Sequence, residues 1–307
     1  MRRISSLIFA AAFTRCMIFV FLSNGKRRSQ KIVTFSKVGR HGRLGNQLFQ
    51  IAATVGIAER HGFGWKFPAH IRNCSAGKLF NLHGTDELAA TASFEYYEQS
   101  SVYYELSLPS FSDDVLYDLT GHFQSYRYFM HSTAVLANIF LYPSDIAREV
   151  TRRYPEINSG RTVTMHVRRS DYVSHNYMYN LLDFQYYKEG LRRLGDTDVI
   201  IFVSDDIEWC KRVLSPQLEQ VKHAFIFSDI GDELHEFVLM LMSPKLIIAN
   251  SSFSWWAAYL KHIYQRGAFH GKEFQVVAPV TWFNKTGPLA DRNTDDLRPP
   301  GWILVQN

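Results

Sequence analysis

The sequence predicts an α/β fold whose C-terminal half is a parallel sheet covered by helices on both faces. Three observations indicate this. Apolar segments of strand length alternate with amphipathic segments of helix length from Arg161 onwards. A strand, a glycine-rich turn and a helix open the N-terminal half. Polar clusters follow several of the predicted strands, at the sheet edge where open α/β folds bind their ligands.

Composition sets the size of the core and excludes one class of partner. The chain has 307 residues, of which 46% are hydrophobic, enough for two domains with a buried core each. The net charge of +5 comes from residues 1 to 31, which hold seven Lys or Arg and no acidic residue. The remainder has 34 − 7 = 27 basic residues against 29 acidic ones. We therefore expect no nucleic-acid partner.

The N-terminus carries an apolar run from Ile4 to Leu22, flanked by basic residues on both sides. A run of about 20 residues is long enough to span a bilayer. No small-residue cleavage motif follows Leu22, which favours an uncleaved anchor over a cleaved signal peptide or a hydrophobic tail. Residues 1–31 are thus predicted to be a cytoplasmic tail and signal anchor, with the membrane as a partner.

Three cysteines are present. Cys16 lies in the apolar run, whereas Cys74 and Cys210 are far apart in the sequence. The latter two either pair in an oxidising compartment or remain buried thiols, and the sequence leaves both interpretations open. None of the three has the spacing of a metal-ligand set.

The N-terminal half shows strong periodicity only at its start. A strand is predicted over Lys31 to Val38, and a glycine-rich turn leads into a helix from Leu44 to about Arg60. Residues 63–67 predict a short second strand, residues 73–125 show weak periodicity, and residues 144–154 predict a helix. Pro155 to Gly160 is the best linker candidate.

The C-terminal half alternates regularly between strands and helices. The predicted strands begin at Arg161 and then cover residues 198–203, 223–227, 245–249 and 274–278. The predicted helices cover residues 184–194, 207–214, 231–242 and 255–264.

The segment from Arg161 to Tyr172 begins as a predicted strand and continues into a cluster of charged residues. Within it, His166, Arg168, Arg169 and Asp171 fall within six residues at the point where the strand ends. Two guanidiniums there suit a diphosphate, because each presents a planar fork of donors that stays charged. The alternative is a surface loop whose Arg and Asp side chains pair with each other.

Two further polar clusters follow predicted strands. Ser204, Asp205 and Asp206 come after the strand over residues 198–203, and Asn250 to Ser254 come after the strand over residues 245–249. The carboxyl ends of parallel strands meet at one sheet edge. We therefore expect these clusters to share a crevice with Arg168.

Four segments together resemble the alpha-1,2-fucosyltransferases, glycosyltransferase family 11. They are Gly42-Arg-Leu-Gly-Asn-Gln-Leu-Phe-Gln, Gly121-His-Phe-Gln-Ser-Tyr, His166-Val-Arg-Arg-Ser-Asp-Tyr and Asn250-Ser-Ser-Phe-Ser-Trp-Trp. Val203-Ser-Asp-Asp fits the same scheme, and the glycine turn is also similar to that of protein O-fucosyltransferases. The order and spacing fit from about Lys37 to Trp282.

The resemblance implies a GT-B-like fold, in which two Rossmann-type halves face a cleft. Residues 32–158 would form the acceptor-side domain and residues 159–307 the domain that binds GDP-fucose. The implied reaction moves L-fucose from GDP-β-L-fucose, with inversion, to the 2-hydroxyl of a terminal galactoside on a glycan. The implied location is the Golgi membrane, as a single-pass type II protein with a lumenal catalytic part. The alternatives are a protein O-fucosyltransferase and a catalytically silent carbohydrate- or nucleotide-binding protein on the same fold.

The resemblance also assigns roles to residues. Arg168, Asn46 and Asp171 are predicted to be catalytic, with Arg168 as the clamp on the diphosphate. The predicted substrate-binding residues are Arg43, Gly45, His166, Arg169, Ser204, Asp205, Asp206, Asn250, Ser251, Ser252, Phe253 and Ser254. Strand alternation is expected to turn Arg169 away from Arg168.

Proton transfer and cofactors are the less defined part of the prediction. No residue stands out as the general base, for which His166, Asp171 and Asn46 are candidates. No metal or other cofactor is expected, because arginines and a helix start are available to neutralise the diphosphate.

Overall fold

The computed structural model describes residues 30–40, 42–86, 88, 92–109, 114–218, 223–267 and 274–307. The predicted anchor lies almost wholly outside these described residues, as does Cys16. None of the helices within these ranges combines the length and apolarity that crossing a bilayer requires.

The described residues form ten strands in two sheets. The strands are β1 Lys31–Thr34, β2 Gly64–Trp65, β3 Ala92–Tyr97, β4 Val115–Thr120, β5 Thr162–Val167, β6 Val199–Ser204, β7 Ala224–Phe227, β8 Lys245–Ile247, β9 Gln275–Pro279 and β10 Ile303–Val305.

The helices pack on these two sheets. They are α1 Leu44–His61, α2 Ser75–Leu79, α3 Thr133–Ile139, α4 Ser144–Arg153, α5 Ser170–Ser174, α6 Phe184–Leu194, α7 Ile207–Trp209, α8 Ser215–Leu218, α9 Glu233–Met242 and α10 Ser252–Gly267. A π-helical turn, Cys210–Leu214, joins α7 to α8.

The C-terminal sheet confirms the predicted parallel architecture. Its strand order is β10-β9-β8-β5-β6-β7, and every pair is parallel. This is the strand order of the dinucleotide-binding folds, in which the order of successive strands reverses between the first and fourth strands. Here that switch point lies between β5 and β8, where Thr164 pairs with Leu246. All residues of β5 are buried, as the central strand of a doubly covered sheet requires.

The N-terminal sheet contains elements that the sequence did not predict. Its order is β2-β1-β4-β3, again with parallel pairs. β3 and β4 both lie within the stretch of weak periodicity. β3 is an edge strand with mostly exposed side chains, so it lacks the apolar alternation that identifies a strand from sequence. The predicted linker is a 3₁₀ turn, Pro155–Asn158, whose Ile157 is buried.

α1 and α10 join the two halves. Trp255 and Trp256 of α10 are fully buried and belong to the hydrophobic core. The ring of Phe49 on α1 lies 4.5 Å from that of Trp255 and 5.1 Å from that of Trp256. Full burial of one such side chain contributes about 1.5–3 kcal/mol. The hydrophobic core is therefore continuous across the halves, and the predicted boundary at residue 158 stays a prediction.

The two described cysteines are both free thiols. Cys74 caps α2 through its sulfur, which accepts a hydrogen bond from the Gly77 amide at 3.4 Å. Cys210 is buried, and desolvation raises the pKa of its thiol. The two thiols are thus separate, and only Cys210 is buried as the second interpretation expected, since Cys74 is half-buried.

Candidate active site

A cleft of about 630 Å³ lies where the carboxyl ends of β5 and β6 and the turn after β8 face the starts of α1 and α10. Its lining brings together many of the residues predicted from sequence. These are Arg43, Gly45, Asn46, His166, Arg168, Asp171, Ser204, Asp205, Ser251, Ser252 and Phe253.

Arg168 directly follows the last residue of β5, and 13% of its side chain is exposed. Its Nη2 donates to Asp171 Oδ1 at 2.6 Å, and its Nη1 lies 2.9 Å from Asp205 Oδ2. The guanidinium also lies 5.5 Å from the centre of the Tyr172 ring. A guanidinium has five N–H donors, so two carboxylates fix Arg168 and leave further donors for a ligand.

Arg169 faces away from the cleft, as strand alternation predicts. Its guanidinium lies 3.9 Å from the centre of the Trp209 ring, and its Nε is 3.5 Å from Asp206 Oδ2. The carboxylate of Asp206 caps α7 by accepting from the Trp209 amide at 3.1 Å. Both side chains therefore pack behind the cleft lining rather than in it.

His166 is almost wholly buried at the floor of the cleft. Its Nδ1 lies 2.8 Å from Ser254 Oγ, and that hydroxyl lies 3.4 Å from the Ser251 carbonyl oxygen. Burial, together with the nearby charge of Arg168, lowers the pKa of His166 to about 3. The imidazole is therefore neutral at physiological pH, and Ser254 fixes its orientation from behind the lining.

Asn46 connects the two halves at the cleft. Its Oδ1 accepts from Gln124 Nε2 at 2.9 Å and from Ser252 Oγ at 3.1 Å. Arg43 makes a second connection, since its Nη2 donates to Asp171 Oδ2 at 2.7 Å. The carbonyl oxygen of Asn46 is thus occupied, whereas the described residues give its amide nitrogen no hydrogen bond.

Gly45 allows the amino ends of α1 and α10 to meet. A Cβ at this position would lie 2.4 Å from the Ser252 carbonyl carbon and 2.6 Å from the Phe253 backbone nitrogen. The preceding turn includes Gly42 at φ +86°, a conformation that side chains rarely adopt. Because helix amino ends carry partial positive charge and unpaired N–H groups, their convergence suits an anion.

Asn250 is buried below the cleft. Its Nδ2 donates to the carbonyl oxygens of Asn180 at 2.8 Å and Trp282 at 2.7 Å. It therefore holds two irregular segments beside the start of α10. Ser251 and Ser252 reach the lining, and Ser251 Oγ also accepts from the Phe253 amide at 3.4 Å.

Several lining residues were missed by sequence reasoning. His122 and Gln124 belong to a quoted motif, and Glu98 holds their turn by accepting from the His122 and Phe123 amides at 2.7 and 2.9 Å. The other missed residues lie in irregular segments or at the start of α9, where the sequence predicts a helix but gives no motif that marks a site. They are Met178, Tyr179, Gly231, Glu233, Glu236, Trp282, Phe283, Leu289 and Arg292.

Glu236 is the most perturbed carboxylate of the lining. Desolvation raises its pKa to about 7, and the charges of Asp232, Asp205 and Glu233 add to the rise. The Ser228 hydroxyl, 3.5 Å from Oε1, gives only a weak opposing hydrogen bond. No ion pair of Glu236 with a cation is found within the described ranges, so its charge is poorly compensated.

Two parallel α/β halves that meet at a cleft lined by strand ends define the GT-B class of glycosyltransferase folds. A crystal structure of POFUT1 in complex with GDP-fucose has the same fold, with a TM-score of 0.51 at 10% identity over 83% of this chain and 99% of that chain. The predicted fold class is confirmed.

Residues 85–267, more than half of the chain, match the model of Glycosyl transferase family 11. The chain belongs to this family, the one that its motifs resemble. An alpha-1,2-colitosyltransferase of Escherichia coli is 31% identical over 195 residues, covering 62% of each chain. The galactoside 2-alpha-L-fucosyltransferase SEC1 of Bos taurus is 25% identical over 242 residues, covering 73% of this chain and 63% of that enzyme. The chain therefore spans less than two thirds of the length of either relative.

The predicted Golgi localisation is wrong. The colitosyltransferase comes from Escherichia coli, a cell without a Golgi apparatus. The helices of the described part of the chain give no membrane span either, so the predicted membrane partner has no support there.

Proposed function

We propose that this protein is an inverting glycosyltransferase that moves L-fucose from GDP-β-L-fucose to the 2-hydroxyl of a terminal galactoside on a glycan. One observation carries the proposal: Arg168 and the amino ends of α1 and α10 converge at the switch point between β5 and β8. Membership of glycosyl transferase family 11 supports it, as does the galactoside 2-alpha-L-fucosyltransferase of Bos taurus.

The diphosphate is assigned to Arg168, the hydroxyls of Ser251 and Ser252, and the start of α10. Arg168 donates to Asp171, forms an ion pair with Asp205, and keeps further N–H groups for phosphate oxygens. Negative charge on the diphosphate grows as the sugar–oxygen bond breaks. Donors that are already fixed therefore stabilise the transition state more than the ground state.

Asn46 is assigned to the reacting sugar or the acceptor hydroxyl, as a hydrogen-bond donor. Its Oδ1 already accepts two hydrogen bonds, so only its amide nitrogen is available. His166 serves as a neutral hydrogen-bonding group at the floor, because its lowered pKa makes it a weak base.

Asp171 positions the two guanidiniums that flank it. It accepts from Arg43 at 2.7 Å and from Arg168 at 2.6 Å, so each of its two oxygens already faces a guanidinium. An oxocarbenium-like transition state needs only weak base assistance, so we assign no dedicated general base. Asn250, Ser254, Asp206 and Arg169 support the lining from behind.

A second candidate for the transferred sugar is colitose, which the Escherichia coli relative names. Colitose is fucose without its 3-hydroxyl, so the same diphosphate site serves both donors. The choice of sugar then depends on the side chains that meet that single hydroxyl.

The test is a transfer assay with the purified full chain and two acceptors in parallel, a glycan with a terminal β-galactoside and a folded protein domain. GDP-fucose and GDP-colitose are compared with GDP-mannose and UDP-galactose, and the product linkage is determined by NMR. We expect an α-1,2-linked fucoside. Transfer from GDP-colitose without transfer from GDP-fucose would show that the donor sugar is colitose and not fucose. Transfer only to a folded protein domain would support a protein O-fucosyltransferase, and no transfer from any donor would contradict the proposal.

A further inference from the structure

Glu236 is a half-buried carboxyl group whose contacts among the described residues reveal no structural purpose. It lies on α9, whose N-cap Asp232 accepts from the His235 amide. Its carboxylate lines the cleft among acidic neighbours, and the only hydrogen bond that it accepts from the described residues, from the Ser228 hydroxyl, is 3.5 Å long. A poorly compensated carboxylate costs stability. Such a cost at a cleft wall points to a ligand that supplies the missing donors.

The two carboxylates that follow β6 are already engaged, whereas Glu233, which also lines the cleft, has a buried Oε1 with no hydrogen-bond partner among the described residues. Asp205 accepts from the Arg169 amide at 2.8 Å and pairs with Arg168 at 2.9 Å. Asp206 caps α7 behind the lining. The contacts of the acidic residues that follow β6 therefore leave them poorly placed to accept hydrogen bonds from a nucleobase. Glu236 supplies acceptor oxygens from the neighbouring helix.

We infer that Glu236 selects guanine in the donor, its two carboxylate oxygens accepting hydrogen bonds from the N1–H and the 2-amino group of the base. This inference rests on the proposed function, since it requires a guanine nucleotide as the donor. Adenine, cytosine and uracil do not present two adjacent donors on one edge, so a carboxylate discriminates against them.

The surroundings of Glu236 fit a purine. Phe253 lines the same cleft, with its ring 5.7 Å from the ring of His166, and gives an apolar surface to a base. His166 is neutral and adds no competing charge at this floor. Partial burial strengthens the hydrogen bonds that Glu236 makes with donors of the base.

The test is calorimetric titration of the full chain with GDP, IDP and XDP. IDP lacks the 2-amino group, and XDP carries a carbonyl oxygen in its place. We expect the wild-type protein to prefer GDP over IDP by about 10- to 100-fold, the effect of losing one hydrogen bond to a charged acceptor. XDP should bind more weakly still, because its carbonyl oxygen faces the carboxylate.

The Glu236→Gln variant is expected to change its nucleotide preference, a result that unfolding cannot produce. The side-chain amide accepts from N1–H and donates to the XDP carbonyl, so the variant should prefer XDP to GDP. Glu233→Gln tests the neighbouring glutamate, and Glu149→Gln on the exposed face of α4 is the matched control, with wild-type order expected.

The outcomes separate the two claims. If Glu236→Gln binds GDP with the wild-type order of GDP, IDP and XDP, Glu236 does not read the base. If Glu233→Gln reverses the order instead, the inference is equally wrong. If the folded wild-type protein binds none of the three nucleotides, the proposed function fails, and the assignment of Glu236 fails with it.

Discussion

Replacement of Arg168 by Lys tests the assigned diphosphate clamp. The substitution keeps the positive charge, but a compact ammonium cannot reach Asp171 and Asp205 at 2.6 and 2.9 Å while also offering a fork to two phosphate oxygens. Losing one such fixed donor costs about 10²–10³ in rate. Since each tenfold step is 1.36 kcal/mol, this is about 3–4 kcal/mol of transition-state stabilisation. Arg168→Ala should be only slightly worse.

The same substitution should reduce the stability of the fold by less than it reduces transition-state stabilisation. Removing one partner of a fully buried ion pair costs about 3–5 kcal/mol. Here 42% of the Asp171 side chain and 21% of the Asp205 side chain are exposed, so water still hydrates both carboxylates. We therefore expect Arg168→Lys to lower stability by about 1–2 kcal/mol, which shifts the melting temperature by only a few degrees.

The assay measures initial transfer rates from GDP-fucose, with GDP affinity by calorimetry and thermal melting in parallel. Arg169→Lys removes the neighbouring guanidinium, which stacks on Trp209 outside the cleft, and should lose less than tenfold. Arg192→Lys, on the exposed face of α6 beside Glu189, is the control and should match wild type. A folded Arg168→Lys protein with transfer within threefold of wild type would refute the clamp.

Three further predictions concern packing, pH and metal. Gly45→Ala should destabilise the protein by about 1–3 kcal/mol, because its Cβ overlaps the backbone of α10. Gly160→Ala, whose Cβ meets nothing within 4 Å, should leave the melting temperature unchanged. Because the pKa of Glu236 is raised in the folded protein, the folded state binds a proton on this carboxyl more tightly than the unfolded state does. The free energy of unfolding therefore falls as pH rises from about 4.5 to about 7. Because Glu236 is partly exposed, water reduces the size of this effect. In urea unfolding, Glu236→Gln should raise the free energy of unfolding by about 1–2 kcal/mol at pH 8 and leave it unchanged near pH 4. Transfer should survive EDTA, and a loss restored by manganese would instead assign Asp205 and Asp206 to a metal.

Much of the C-terminal half could be predicted because its signals are local. α6 has the predicted bounds, since its apolar stripe and the Asp183 cap are both encoded in neighbouring residues. Arg168, Asp205 and Ser252 could be placed in one cleft because parallel strand ends share an edge. The exposed edge strand β3 could not be predicted, because little apolar alternation marks it.

The missed parts of the site depend on tertiary folding. Glu236 lies within the first turns of a helix whose sequence gives only helical periodicity, and its desolvation arises from elements distant in the chain. Phe283 and Arg292 reach the cleft from an irregular segment that pairs with Tyr179. The ion pair between Arg168 and Asp205 likewise joins two strand ends and has no sequence signature.

The most direct test of the account is an experimental structure of the protein with GDP bound. The account predicts the diphosphate at the start of α10, within hydrogen-bond distance of Arg168 and of the Ser251 or Ser252 hydroxyl, with the guanine edge facing Glu236. A nucleotide bound outside this cleft, or bound within it with Arg168 remote from both phosphates, would contradict the account.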